Sequence, residues 1–309
     1  MNNLEMGIDP KEGLKKVAII GCGWAGKALA QSFTQDGISV VATTRSRDNF
    51  PNLVEVGCLP VEFELPLSTG EECNWLDGSD AMIIAITPQF KQGANDYNVK
   101  VAQLTELAVQ HGVKHVVLLS STGVYQGTAD QVTEDTALDL AINKVELLAQ
   151  AEQAVLSSVM RSSVAQSSAF ESEVDKSKLQ NQKATVLRLA GLVGPNRHPA
   201  RFMSGKQGVA NANTPINLVH QADVVGAIRL VLSGTGGRKS AEVYNVVSDT
   251  HPTRQDFYQL ACQQLSLEAP AFNEEQESLK RIVLGDKIQQ AGLVLSYPDL
   301  MKWLTQPNT

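Results

Sequence analysis

A strand-sized apolar run that ends directly in a glycine-rich loop limits this chain more than any other feature. Lys16-Val-Ala-Ile-Ile20 is short and β-branched, as a fully buried strand is, and Gly21-Cys-Gly-Trp-Ala-Gly26 follows with no spacer. Residues 27–35 then have helical character. The first glycine of such a loop permits the tight turn. The second lets the main chain approach a ligand, and the third lets the helix pack closely on the strand. Unpaired N–H groups and the positive end of the helix dipole meet there, so the junction is suited to an anion without any cationic patch.

That economy fits the charge. The 309 residues carry a net charge of −7 with no cluster of excess Lys and Arg, which argues against a nucleic-acid partner. No apolar run approaches the roughly 20 residues of a membrane helix. Residues 1–10 lack the basic flank and apolar core of a secretion signal, so residues 1–14 read as a flexible tail. The four cysteines, Cys22, Cys58, Cys73 and Cys262, form no CxxC pair, which fits reduced thiols and a cytoplasmic protein; no metal site is expected.

The rest of the chain alternates strand-like and helical stretches. Runs at 38–43, 81–87, 115–119 and 185–189 read as buried strands, and 97–111 and 143–156 read as helices. This order predicts an α/β fold, a doubly wound parallel sheet covered by helices. Residues 157–182, rich in Ser, Gln, Glu and Lys, read as a helix end running into a mobile insert. After Gly194-Pro195 the composition changes. Residues 15–195 are expected to form the nucleotide-binding domain, with 217–247 returning to it. Residues 196–216 and 248–309 are expected to form a small C-terminal substrate-binding lobe.

In this context the G-x-G-x-x-G spacing is a dinucleotide fingerprint. Gly21, Gly23, Trp24, Ala25 and Gly26 are therefore expected to cradle a pyrophosphate; the plain alternative is a glycine turn with no ligand. The end of the second strand reads Ala42-Thr-Thr-Arg-Ser-Arg47, without the acid that usually accepts from a ribose 2′-hydroxyl. Arg45 and Arg47 suit a 2′-phosphate instead, with Thr44 or Ser46 as hydroxyl donors, so NADP is the expected cofactor and NAD the alternative. Thr87, Pro88, Ser120, Gly191 and Leu192 complete the expected cofactor contacts. A solvated basic loop is the competing reading of the arginines.

Four stretches in this order resemble the extended short-chain dehydrogenase/reductase superfamily, the NAD(P)-dependent epimerase/dehydratase group, from residue 16 to about residue 260. They are the glycine loop, Leu119-Ser-Ser-Thr-Gly-Val-Tyr125, Arg188-Leu-Ala-Gly-Leu-Val-Gly-Pro195 and Asn217-Leu-Val-His-Gln-Ala-Asp-Val224. The resemblance implies a Rossmann fold and a small polar substrate, a nucleotide sugar among the candidates. It assigns Ser121 the role of hydrogen-bonding the reacting oxygen. It also makes a homodimer, paired through a four-helix interface, a reasonable expectation.

The chain departs from that family at its catalytic pair, Tyr-x-x-x-Lys. No tyrosine here has a lysine four residues on, as in an atypical bacterial subgroup; the helix reads Ala141-Ile-Asn-Lys-Val-Glu-Leu-Leu148. Lys144 is a partial substitute or a solvated helix lysine. Tyr125, His198, Arg201 and His220 are candidate substrate contacts, with packing the alternative for Tyr125 and a solvated loop for His198 and Arg201. Asp223 reads as tying off the next helix. Two functions stay open: an NADP(H)-dependent oxidoreductase, epimerase or dehydratase, and a non-catalytic dinucleotide sensor or partner-binding protein.

Overall fold

The computed structural model describes residues 13–67, 72–165, 182–234, 239–273 and 280–306, with side chains outside 160–165. The expected tail at 1–14 and the mobile part of the 157–182 insert fall almost wholly outside them.

The chain runs β1 (Lys16–Ile20), α1 (Trp24–Gln35), β2 (Ser39–Thr44), α2 (Phe50–Glu55), β3 (Leu59–Glu62), β4 (Ala81–Ile84), α3 (Tyr97–Gln110) and β5 (His115–Ser121). It continues through β6 (Asp130–Val132), α4 (Asn143–Ala165), β7 (Lys183–Leu189), β8 (Gly191–Val193), α5 (Ala200–Met203), β9 (Leu218–His220) and α6 (Gln221–Leu232). Then come β10 (Ala241–Val246), α7 (Arg254–Gln264), β11 (Arg281–Val283), α8 (Asp286–Gln290) and α9 (Leu300–Leu304).

Seven parallel strands in the order β10-β7-β5-β4-β1-β2-β3 form the central sheet. Its middle strands are apolar on both faces, as expected where helices cover the sheet; β4 and the last four residues of β1 are wholly buried. Helix α1 packs on α6 and α3 on α4. Strand order reverses between β1 and β4. The crevice of a doubly wound sheet lies outside the carboxyl ends at such a point, here at Gly21 and at the residues after Ile84.

Elements that differ from the sequence reading include these three. The run 81–87 leaves the sheet after Ile84; the Ala85 amide still donates to the Ile20 carbonyl (2.8 Å), and Thr87 and Pro88 lie in the loop beyond. Helix α4 extends past 156 to Ala165. Strand β3 was not anticipated, because it is a half-exposed edge strand carrying Pro60, which only an edge tolerates.

Beyond β7 the chain builds smaller features. Strand β8 pairs with β9, and β6 with β11. A second, smaller core gathers Val193, Ala200, Phe257, Cys262, Leu300 and Trp303 from α5, α7, α9 and β8. Asp223 holds this part to α6: its buried carboxylate accepts from the Ser296 and Tyr297 amides. The helix-capping role expected of Asp223 belongs instead to His220, whose Nδ1 accepts from the Ala222 amide (3.2 Å).

Candidate functional site

The glycine loop joins β1 to α1 at the strand-order reversal. Gly21 has φ +84°, and a Cβ there would meet Ile86 Cγ2 at 3.0 Å and the Ile86 nitrogen at 3.1 Å. Only glycine allows both the turn and this approach of the β1 and β4 ends. A Cβ at Gly26 would press on Ile19 at 3.3 Å, which makes this glycine a packing requirement between α1 and β1. Gly23 has nothing within 4 Å of where a Cβ would stand.

The donors in this loop divide in two. The Gly21 amide bonds Thr43 Oγ1, the Cys22 amide the Thr43 carbonyl, and the Gly23 amide the Gly21 carbonyl. The amides of Trp24, Ala25 and Gly26 have no acceptor among the described residues. Gly23 supplies no capping side chain, and the first turn of α1 holds no acid to offset its positive end. Three convergent donors below open space fit a diphosphate.

Trp24 contributes its amide here, but its ring faces elsewhere. The indole Nε1 donates to the Pro195 carbonyl (2.9 Å), and the Arg197 guanidinium lies 5.5 Å from the Trp24 ring and 5.3 Å from that of Phe202. Gln221 Nε2 bonds the Trp24 carbonyl. The loop after β8 is thereby fastened to the glycine loop.

At the end of β2 the two arginines differ. Arg47 is ion-paired with Glu62 (2.7 Å), which lies beside Thr44 on β3. Ser46 caps the turn that follows, accepting from the Asp48 amide and donating to the Asp48 carboxylate. The Thr44 hydroxyl makes only long contacts to Ser46. Arg45 is exposed and has no partner among the described residues.

Ser121 closes β5, the neighbour of β4. Its Oγ accepts from the Gly123 amide (3.0 Å), capping a short turn at Thr122–Tyr125. Its hydroxyl hydrogen has no acceptor among the described residues. Ser120 points the other way, as the alternation of a strand requires: its buried hydroxyl donates to Glu152 Oε1 (2.6 Å), so the side chain is not a cofactor contact. Gly191 and Leu192 open β8, where Gly191 is exposed and Leu192 half-buried.

Tyr125 is corrected as a substrate contact. It is wholly buried, its hydroxyl donating to Asn245 Oδ1 (2.8 Å) and accepting from Arg188 Nη1 (2.8 Å). Arg188 also forms a buried, multiply bonded pair with Glu152, Nη2 to Oε2 being 2.7 Å. Asn245 Nδ2 continues the chain to the Leu284 carbonyl. This network was legible in part: Arg188 interrupts an apolar strand, and Glu152 lies on the helix face of Val145, Leu148 and Val155. A buried charge on each side requires the other.

The histidines also turn inward. His198 is buried, its Nδ1 accepts from the Ala200 amide, and its ring lies 5.8 Å from that of Trp303. Burial, with Arg201 nearby, holds it below the ordinary imidazole range. The His220 ring lies 3.8 Å from that of Tyr297, tilted by 43°, and burial pushes it down to about 4, so it is neutral. With Nδ1 accepting, its proton sits on Nε2, which flanks Gly194 beside Trp24. Arg201 is exposed. Among the described residues no group of three or more His, Cys, Asp or Glu could hold a metal ion, and no helix is long and apolar enough to cross a membrane.

An NAD(P)H-binding family model matches residues 21–228, a span that opens at the first glycine of the loop and ends within α6. The chain belongs to this NAD(P)H-binding family. Protein YeeZ of Escherichia coli K12 is 31% identical over 294 residues, covering 93% of this chain and 97% of the relative. Three solved structures share the fold. A functionally unknown conserved protein of Silicibacter pomeroyi has 21% identity and a TM-score of 0.71, covering 94% and 96% of the two chains. MoeE5 in complex with UDP-glucose and NAD has 18% and 0.72, with the same coverage. The Campylobacter jejuni UDP-Glc/GlcNAc 4-epimerase has 14% and 0.74, covering 94% and 97%. What these neighbours share with this chain is the fold, a seven-stranded parallel sheet flanked by helices.

Proposed function

We propose that the protein binds NADP(H) at the β1–α1 loop and is an oxidoreductase, epimerase or dehydratase acting on a small polar substrate, with a nucleotide sugar as the leading candidate. The observation that carries the reading is the set of free Trp24, Ala25 and Gly26 amides under the open side of Gly23. When bound, the dinucleotide supplies a hydride acceptor or donor. Arg45, unpaired among the described residues, holds the 2′-phosphate with Thr44 and Ser46 beside it. Ser121 offers its hydroxyl hydrogen to the reacting oxygen. The substrate class draws support from the UDP-glucose complex of MoeE5 and the UDP-Glc/GlcNAc epimerase, which share the fold. Four free and buried cysteines favour a reducing compartment, the cytoplasm. Pairing through α3 and α4 is the proposed dimer, with Val99 on α3 half exposed.

A second reading, a dinucleotide sensor without catalysis, is favoured by the missing Tyr-x-x-x-Lys and by the burial of Tyr125. The two separate in one experiment. Purified protein is mixed with NADPH and a panel of carbonyl compounds, and with UDP-glucose and NADP+. Turnover that falls by about 10²-fold or more in Ser121→Ala supports the enzyme. Cofactor binding with no turnover across the panel supports the sensor.

A further inference from the structure

We propose that Lys144 is the acid of this site and forms, with Ser121, a two-donor seat for the reacting oxygen. The inference rests on the dinucleotide reading above and adds the proton source that reading lacks. A Cβ on Gly123 would meet Ser121 Oγ at 3.1 Å, Lys144 Nζ at 3.2 Å and Lys144 Cε at 3.3 Å. Serine hydroxyl and lysine ammonium therefore stand against the same side of Gly123, a corner that the absent side chain leaves uncovered. It lies at the carboxyl end of β5, beside β4 and the crevice.

Nothing in the fold explains Lys144 as a structural residue. It is half-buried, yet its ammonium has no hydrogen bond or ion pair among the described residues. It stands second in α4, where a cation opposes the helix dipole. A solvated surface lysine would extend away from the helix into water, whereas this one reaches back to the turn at Thr122–Tyr125, against which α4 packs. A partly desolvated, unpaired charge at the wrong helix end costs stability, and such local costs are characteristic of functional positions.

The chemistry balances as a carbonyl reduction. The carbonyl carbon receives the hydride pair furnished by bound NADPH, which leaves as NADP+. The C=O π pair moves onto oxygen, where the Ser121 O–H and the Lys144 ammonium stabilise the developing charge. A Lys144 Nζ proton then passes to that oxygen to give the alcohol, and the neutral amine regains a proton from water. In the reverse direction the neutral amine takes the proton.

The test begins with a readout that needs no turnover. The full chain is acetylated with limiting acetic anhydride, with and without NADPH, and each lysine is quantified by mass spectrometry while calorimetry follows cofactor binding. Lys144 is expected to lose labelling in proportion to occupancy, while Lys302, whose side chain is 83% exposed, is unchanged. Undiminished Lys144 labelling at saturating NADPH overturns the placement and leaves the dinucleotide reading intact. No binding heat from the wild type removes that reading, and this inference with it. The role is then read by single-turnover nicotinamide absorbance with p-nitrobenzaldehyde as the probe carbonyl. Lys144→Met is expected to slow the step by about 10²–10⁴-fold. Lys144→Arg keeps the charge but not a transferable proton, and should recover only part of that loss. Equal traces for wild type and Lys144→Met, including equal absence of reaction, overturn the acid role.

Discussion

Two polar clusters lie near the carboxyl ends of adjacent strands, and their hydrogen bonds are closed to very different degrees. Beneath β5 and β7, the Arg188, Glu152, Tyr125, Ser120 and Asn245 side chains are all engaged with one another, and the described residues record no unsatisfied atom among them. At the β1–α1 and β5 ends, three amides, the Ser121 hydroxyl hydrogen, the Lys144 ammonium and Arg45 have no partner among the described residues. Polar groups withdrawn from water are ordinarily satisfied. The saturated cluster is accordingly architecture, and the unsaturated one is where we propose that a ligand completes the bonding.

The largest effect should come from breaking the saturated cluster. Glu152→Gln leaves the Arg188 guanidinium without its countercharge, and urea unfolding is expected to show a loss of about 3–5 kcal/mol. NADPH affinity of the folded fraction should change little; a selective loss of cofactor binding would show that the two clusters act as one.

Next is Arg45→Ala. Losing a charge-assisted bond to the 2′-phosphate should weaken NADPH by about 1.5–3 kcal/mol and spare NADH. Arg47→Ala, whose partner is the exposed Glu62, should cost at most about 1 kcal/mol for either cofactor. Equal weakening of NADPH and NADH by Arg45→Ala would remove the 2′-phosphate assignment.

Gly23→Ala sharpens the contrast from the other side. The new methyl has open space in the protein but stands where a diphosphate would approach. Tenfold weaker NADPH binding, about 1.4 kcal/mol, is expected with nearly unchanged thermal stability. Parallel loss of stability and binding would mean that the loop is structural.

The last effect is on pH dependence. His115 is buried, bonded to Thr185 Oγ1 (2.8 Å), and pushed by burial and then by Lys183 down to about 4 from an ordinary 6.5. His220 is lowered to about 4 by burial. Between those limits the unfolded chain binds more protons, so stability is full above about 6.5 and falls as pH drops toward 4. Urea midpoints for His115→Gln should decline less steeply than wild type between about pH 7 and pH 5. An unchanged slope would contradict the buried neutral imidazole.

The sequence carried the sheet because β1, β4 and β5 are continuous apolar runs and Gly21 and Gly26 have distinct steric reasons at their spacing. It did not carry β3, where Pro60 and half-burial erase the strand signal. Nor did it show which way a polar side chain turns. Ser120 and Ser121 are adjacent serines, yet one is tied to Glu152 and the other caps the turn at Gly123. Tyr125 and His198 looked like contacts because loops carry function, but aromatic and imidazole rings also fill a core. Lys144 was legible as a lysine near a helix start; only its closeness to Gly123 and Ser121 separates it from a solvated one.

Isothermal titration calorimetry of the purified full chain with NADPH and with NADH probes the unfilled amides most directly. Saturable one-site heat with both nucleotides, tighter for NADPH, is the expected result. A flat titration with both, from protein shown by circular dichroism to be folded, would contradict the account.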